Sequence, residues 1–195
     1  LALGDSYTIG ASVPEADRYP LQLATELVDL GAILDPVDIV ARTGWTTDEL
    51  NQGINQRTDL RETYDLVSLL IGVNNQYRGY SIDQYALDFA ALLNRAILFA
   101  GGRAERVFVL SIPDYAYTPF GGGDMDISEE IDAFNAVNAQ ITMDRGVRYF
   151  DITPISRRGL DQPDLVAGDG LHPSGKQYGL WVQQMLLTVR GMLDE

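Results

Sequence analysis

Val67-Ser68-Leu69-Leu70-Ile71 is apolar at every position but one and runs directly into Gly72-Val73-Asn74-Asn75. A run so short and so continuous fits a strand covered on both faces, because a strand with one wet face alternates apolar with polar residues. Val107-Phe108-Val109-Leu110 reads the same way. With their flanks these two runs give strands at Leu66–Ile71 and Arg106–Ile112, and similar patterns predict others at Leu1–Asp5, Val37–Ala41 and Val147–Ile152. Amphipathic stretches between and after them predict helices at Tyr19–Leu30, Thr47–Arg57, Ser81–Ala100, Ser128–Arg145 and Pro173–Leu193.

Several boundaries carry helix punctuation. Ser81, with Gln84 three residues on, has the spacing of a capping box. Gly31 follows the first predicted helix and Gly101-Gly102 the third, where a left-handed residue closes a helix. Pro173 suits the first turn of the last helix, since a donor there has no intrahelical partner. Tyr85, Phe89, Leu92, Leu93, Ala96 and Ile97 recur at helical spacing and belong to the core. Strands alternating with helices imply parallel pairing through right-handed crossovers. The expected fold is α/β, a three-layer α/β/α sandwich around a five-stranded parallel sheet, forming one domain over residues 1–195. Its ligands belong outside the carboxyl ends of the strands, at a switch in strand order.

Composition narrows the function. The chain carries 28 acidic against 14 basic residues, a net charge of −14. Such a surface repels phosphate backbones and anionic lipid, which argues against nucleic-acid and membrane-surface partners. Cysteine is absent and histidine occurs once, so disulfides, thiolate chemistry and a histidine-rich zinc site are excluded. No metal or cofactor is expected. The carboxylates Asp124, Asp126, Glu129 and Glu130 match no EF-hand spacing and read as a solvated loop and helix start. No run is long and apolar enough to span a membrane, so a soluble protein is expected. The chain begins inside a strand at Leu1-Ala2-Leu3 with no initiator Met, so residues before it, including any signal peptide, are expected to be missing.

The topology gathers scattered residues. Ser6 follows the first strand in Gly4-Asp5-Ser6, Thr43-Gly44-Trp45 follows the second, and Asn74 follows the third. His172, in Asp169-Gly170-Leu171-His172, precedes the last helix. In a parallel sheet these loops leave from one edge. There His172 can take the proton of the Ser6 hydroxyl and return it to a leaving group, with Asp169 fixing the imidazole tautomer. The Ser6 and Gly44 N–H groups and the Asn74 amide can donate to an oxyanion. Asp5 is expected to support the Ser6 turn through backbone hydrogen bonds.

These blocks, Gly-Asp-Ser-Tyr-Thr-Ile-Gly at 4–10, Gly44, Gly72-Val73-Asn74 and Asp169-Gly170-Leu171-His172-Pro173, resemble in order those of the GDSL/SGNH hydrolases. The resemblance spans nearly the whole chain. It implies a flavodoxin-like sheet and ester hydrolysis through an acyl-enzyme. It assigns Ser6 as nucleophile, Gly44 and Asn74 as oxyanion donors, His172 as base and Asp169 as its orienting acid. Two positions depart from the family pattern: Ser-Tyr stands for Ser-Leu in the first block, and Asn75 stands where aspartate is common.

The substrate side is read from aromatics. Tyr77 and Tyr80 follow Asn74, and Tyr115 and Phe120 follow the fourth strand, so all four are expected to bind substrate. Arg78 is expected either to meet an anionic head group or to balance nearby acids. Gly121-Gly122-Gly123 suggests a lid over Tyr115–Asp124. The expected substrates are small or lipid-like carboxylic esters, lysophospholipids or thioesters among them, with a carbohydrate O-acetyl ester as the alternative. A module in which Ser6, Tyr7 and Thr8 cradle a phosphate is the non-catalytic alternative. It leaves Asn74, Asp169 and His172 on the same edge without a role.

Overall fold

Five short strands form a wholly parallel sheet in the order β2-β1-β3-β4-β5, with β1 at Ala2–Gly4, β2 at Ile39–Ala41, β3 at Val67–Leu70, β4 at Val107–Leu110 and β5 at Arg148–Phe150. The computed structural model describes residues 1–194. Gly4 of β1 pairs with Ala41 on one side and Leu70 on the other. The strands end earlier than the apolar runs, because the residues after them turn at once into loops and helix starts.

The order explains the layers. The connection from β1 to β2, through α2 (Tyr19–Asp29), steps one way across the sheet. Every later connection steps the other way, through α3 (Thr47–Gln56), α5 (Ile82–Phe99) and α6 (Met125–Asp144). Right-handed crossovers therefore place α2 on one face and α3, α5 and α6 on the other. The final helix α8 (Gly175–Met192) packs on α2, while α5 packs on both α3 and α6. With helices on both faces, Leu3, Leu69 and Val109 are fully buried, as the unbroken apolar runs require. Three short helices complete the chain: α1 (Ser6–Ile9), α4 (Val73–Tyr77) and α7 (Thr153–Ser156). Among the described residues no helix is long and apolar enough to cross a membrane.

Helix ends follow their caps. Ser81 accepts from Gln84 N–H at 3.2 Å, but the Gln84 amide turns forward to Asp88, so only half of the expected capping box forms. At α3 the Glu49 carboxylate accepts the Thr46 N–H at 3.0 Å, the half missing at Ser81. Helix α6 starts three residues before Ser128, because Asp124 accepts from Asp126 N–H at 3.0 Å and caps it. Pro173 lies outside α8: Ser174 is the cap, and Pro173 instead bridges to Val166 beside the His172 loop.

Leu69→Ala removes a fully buried side chain from the middle of the sheet. Such truncations cost about 2–5 kcal/mol, so urea unfolding is expected to show a loss in that range, and a loss below about 1 kcal/mol would contradict this packing.

Candidate active site

Four loops meet outside the carboxyl ends of β1 and β3, on either side of the switch in strand order. Ser6 opens α1 directly after β1, Gly44 lies in the loop after β2, Asn74 is in α4 after β3, and Asp169 and His172 lie in the loop before α8. Ser6, Gly44, Asn74 and His172 line one cavity of about 200 Å3 together with Tyr7, Thr43, Val73, Tyr77, Tyr115, Phe120 and Leu171. A larger cavity of about 260 Å3 opens at the opposite end of the sheet, beside Leu1, Leu66 and Arg61. That cavity lacks a base for its one serine, Ser68, because the chain's single histidine is elsewhere.

Asp169 organises its own loop. One oxygen, Oδ1, accepts the N–H groups of Leu171 and His172, both at 3.0 Å. The other, Oδ2, lies 2.6 Å from His172 Nδ1 and also accepts from Ser12 Oγ at 2.6 Å. Partial burial pushes this carboxyl up, but the donors from Ser12 and His172 and the backbone N–H groups outweigh it and hold Asp169 well below the usual carboxylate range. With Nδ1 engaged, Nε2 is the nitrogen of His172 left for other chemistry. The Tyr7 ring stands edge-on to the imidazole with centroids 5.9 Å apart. Ser6 and His172 line the cavity with no hydrogen bond between their side chains among the described residues.

A second set of contacts holds Ser6, Gly44 and Asn74. Ser6 is the first residue of α1, where a backbone N–H has no intrahelical acceptor. Gly44 has φ 88, a conformation that a Cβ would strain. Asn74 Nδ2 donates to the Trp45 carbonyl at 2.9 Å, which orients the amide and leaves its second proton free. Asn75 is fully buried and ties α4 to the start of α3. Its Oδ1 accepts from Thr47 N–H at 3.1 Å and its Nδ2 donates to Thr47 Oγ1 at 2.8 Å. A carboxylate at 75 would accept the Thr47 hydroxyl proton, whereas the amide leaves that proton for Asp88, 3.5 Å away. The departure at 75 therefore keeps the tether and reverses one bond. Arg78 donates to the Gly44 carbonyl at 2.6 Å and to Glu49 at 3.3 Å, so it balances an acid and braces the Gly44 turn.

Tyr77, Tyr115 and Phe120 form one wall, with ring centroids 6.1–6.3 Å apart. Tyr115 is buried and hydrogen-bonded to Gln76, whereas Tyr77 and Phe120 are 62% and 56% exposed. Tyr80 is a correction to the sequence reading: it does not line the cavity. Helix α4 ends at Tyr77, Gly79 turns with φ 69, and Tyr80 N–H closes on the Asn75 carbonyl, carrying the ring away. The Tyr115–Asp124 segment is a hydrogen-bonded turn. Thr118 Oγ1 donates to the Tyr115 carbonyl, Gly123 N–H reaches the Ala116 carbonyl, and Phe120 N–H is bound to Gly170 O at 2.9 Å. A Cβ on Gly121 would fall 2.0 Å from the Tyr115 carbonyl oxygen, so glycine here serves tight packing. Among the described residues no cluster of three or more His, Asp or Glu side chains could hold a metal.

Sequence reasoning missed Ser12, the Trp45 carbonyl and the Asn75–Thr47 tether. The contact from Ser12 to Asp169 spans 157 positions, and no local pattern encodes it.

A family model described as the GDSL-like Lipase/Acylhydrolase family matches residues 2–180. No curated protein matches the chain by sequence. Solved structures share its fold at low identity. TesA is 17% identical, with 98% of this chain and 97% of that chain covered and a TM-score of 0.76. The lipase/acylhydrolase from Enterococcus faecalis is 18% identical, with 97% and 94% covered and a TM-score of 0.76. A variant of Axe2, an acetyl xylan esterase from Geobacillus stearothermophilus, is 20% identical, with 96% and 92% covered and a TM-score of 0.72.

Asp5 supports the Ser6 turn as its sequence position suggested, accepting Tyr7 N–H at 3.0 Å, while its Oδ2 is buried with no partner among the described residues. Burial pushes this carboxyl from 3.8 up to about 7, against the opposing pull of backbone N–H groups. Between these two values the folded chain holds a proton that the unfolded chain has released, so Asp5 makes stability fall as pH rises through that window. Asp5→Asn retains an acceptor for Tyr7 and cannot ionise. Urea unfolding at about pH 5 and about pH 8 is expected to show a smaller fall for D5N than for wild type. An equal fall in both proteins would mean that Asp5 titrates like a solvated carboxyl.

Proposed function

The chain belongs to the GDSL-like lipase/acylhydrolase family, and from that premise we propose that it is a serine esterase cleaving carboxylic esters through an acyl-enzyme on Ser6. The observation that carries this reading is the 2.6 Å contact between His172 Nδ1 and Asp169 Oδ2, at a cavity that Ser6, Gly44 and Asn74 also line. His172 Nε2 takes the Ser6 Oγ proton as Oγ bonds to the ester carbonyl carbon. The resulting oxyanion is held by the Ser6 and Gly44 N–H groups and the free Asn74 amide proton. Collapse of the tetrahedral centre breaks the bond to the alcohol, which leaves with the proton from His172. A water then gives its proton to His172 and attacks the acyl group, and the acid departs as Ser6 regains its hydrogen. Asp169 stays ionised throughout, matching the imidazolium formed in both halves. No step calls on a metal or cofactor.

The three-ring wall and the apolar Val73 and Leu171 suit small or lipid-like acyl esters, lysophospholipid-like substrates and thioesters included. A second reading, an O-acetyl ester of a carbohydrate, is favoured by the exposed rings of Tyr77 and Phe120, which offer faces on which a sugar can stack. Hydrolysis of p-nitrophenyl acetate, butyrate and octanoate separates them: rates that rise with chain length support the lipid-like ester, and turnover of acetate alone supports the sugar ester.

Ser6→Ala is expected to leave the fold intact and cut turnover by several orders of magnitude, because the members of such a triad act as a unit. Retention of more than about a tenth of wild-type activity would reject Ser6 as nucleophile. Asn74→Ala is expected to lower kcat about 10²–10³-fold, and a change below about threefold would move the oxyanion role elsewhere.

A further inference from the structure

We propose that Ser12 is a positioning residue for the Asp169–His172 pair, its hydroxyl pinning the carboxylate oxygen that faces the imidazole. The proposal rests on the reading of His172 as base and Asp169 as its orienting acid. Ser12 is the only non-glycine residue with a positive φ among the described residues, at 66°. That region is disfavoured for a side chain bearing a Cβ and is normally left to glycine, asparagine or aspartate. Conformations of this kind persist where the surroundings over-determine them, and they gather at functional sites. Here the conformation brings Ser12 Oγ to 2.6 Å from Asp169 Oδ2.

The carboxylate has about four acceptor positions, and all are in use. Leu171 and His172 N–H groups take Oδ1; His172 Nδ1 and Ser12 Oγ share Oδ2. The Oδ1 bonds are local, two and three residues away, and hold one end of the carboxylate only. Without Ser12 nothing but the imidazole itself fixes Oδ2, so the carboxylate is freer to rotate and the ring loses its reference. Ser12 also sits on the turn that carries the nucleophile: Gly10 and Ala11 N–H groups both return to the Ser6 carbonyl at 3.0 Å. The bond therefore links the nucleophile's turn to the base's loop. Ser12 is exposed, so water could solvate its hydroxyl in a relaxed conformation, and solvation of the hydroxyl does not account for the positive φ.

The single histidine makes the test direct, because protein labelled with 15N-histidine gives one imidazole spectrum. Wild type, Ser12→Gly and Ser12→Ala are compared by the Nδ1 proton resonance, melting temperature and kinetics on p-nitrophenyl acetate. Glycine removes the hydroxyl and also relieves the backbone, so its melting temperature does not fall. Both variants are expected to show an Nδ1 proton that has moved upfield and exchanges faster. Their kcat is expected to drop roughly 3- to 10-fold, the worth of one net hydrogen bond, with KM unchanged. In an Asp169→Asn background Ser12→Gly causes no further loss, because the residue acts through Asp169. An unchanged Nδ1 resonance with full turnover in Ser12→Gly overturns the proposal, and so does an equal loss in the Asp169→Asn background. If wild type leaves p-nitrophenyl acetate, butyrate and octanoate all intact while the resonance still moves, the esterase reading fails and the role of Ser12 in holding the pair stands.

Discussion

Parallel pairing of β1 with β3, Gly4 opposite Leu70, is the constraint on which the remaining geometry depends. It brings the ends of two strands separated by more than sixty positions to one edge, and the single reversal in strand order leaves a crevice there. Ser6 comes two residues after the end of β1, and Asn74 four after the end of β3. Neither residue needs a long loop to reach the other. The apolar runs that bury the sheet on both faces therefore also set the separation of Ser6 and Asn74, and stability and site geometry share one cause.

Around that edge, electrostatics and hydrogen bonds convert proximity into orientation. Asp169 is held ionised by four donors, and a carboxylate so held can match an imidazolium without taking its proton. Asn75 and Arg78 do comparable work on the other side, tying the Asn74 helix to the Thr47 helix start and to the Gly44 turn. Asp5 is the contrary case. It caps the Ser6 turn from a fully buried position, and burial raises its carboxyl to about 7. The Ser6 turn is thus supported by a group whose charge costs stability as pH rises toward about 7.

The sheet, its parallel pairing and the gathering of Ser6, Gly44, Asn74 and His172 were legible from sequence, because strand pattern, alternation with helices and chain order are local or topological signals. Tyr77, Tyr115 and Phe120 were legible for the same reason, since they follow strands that end at that edge. Tyr80 was misread because adjacency in sequence says nothing of a turn: Gly79 rotates the chain between Tyr77 and Tyr80. Whether Tyr115–Asp124 is a lid was not legible at Gly121-Gly122-Gly123 because glycine serves both flexibility and close backbone packing, and the contact with the Tyr115 carbonyl shows close packing at Gly121. Ser12 had no sequence signature. Its role depends on a backbone angle and on a partner 157 positions away.

The central claim, that Ser6 is the nucleophile of an acyl-transfer site, is tested most directly by covalent capture. The protein is treated with a fluorophosphonate, digested, and mapped by mass spectrometry. The account predicts one adduct, on Ser6, with the serine oxygen bonded to phosphorus and fluoride released. An adduct confined to another residue, or none in protein that still hydrolyses an ester, would contradict it.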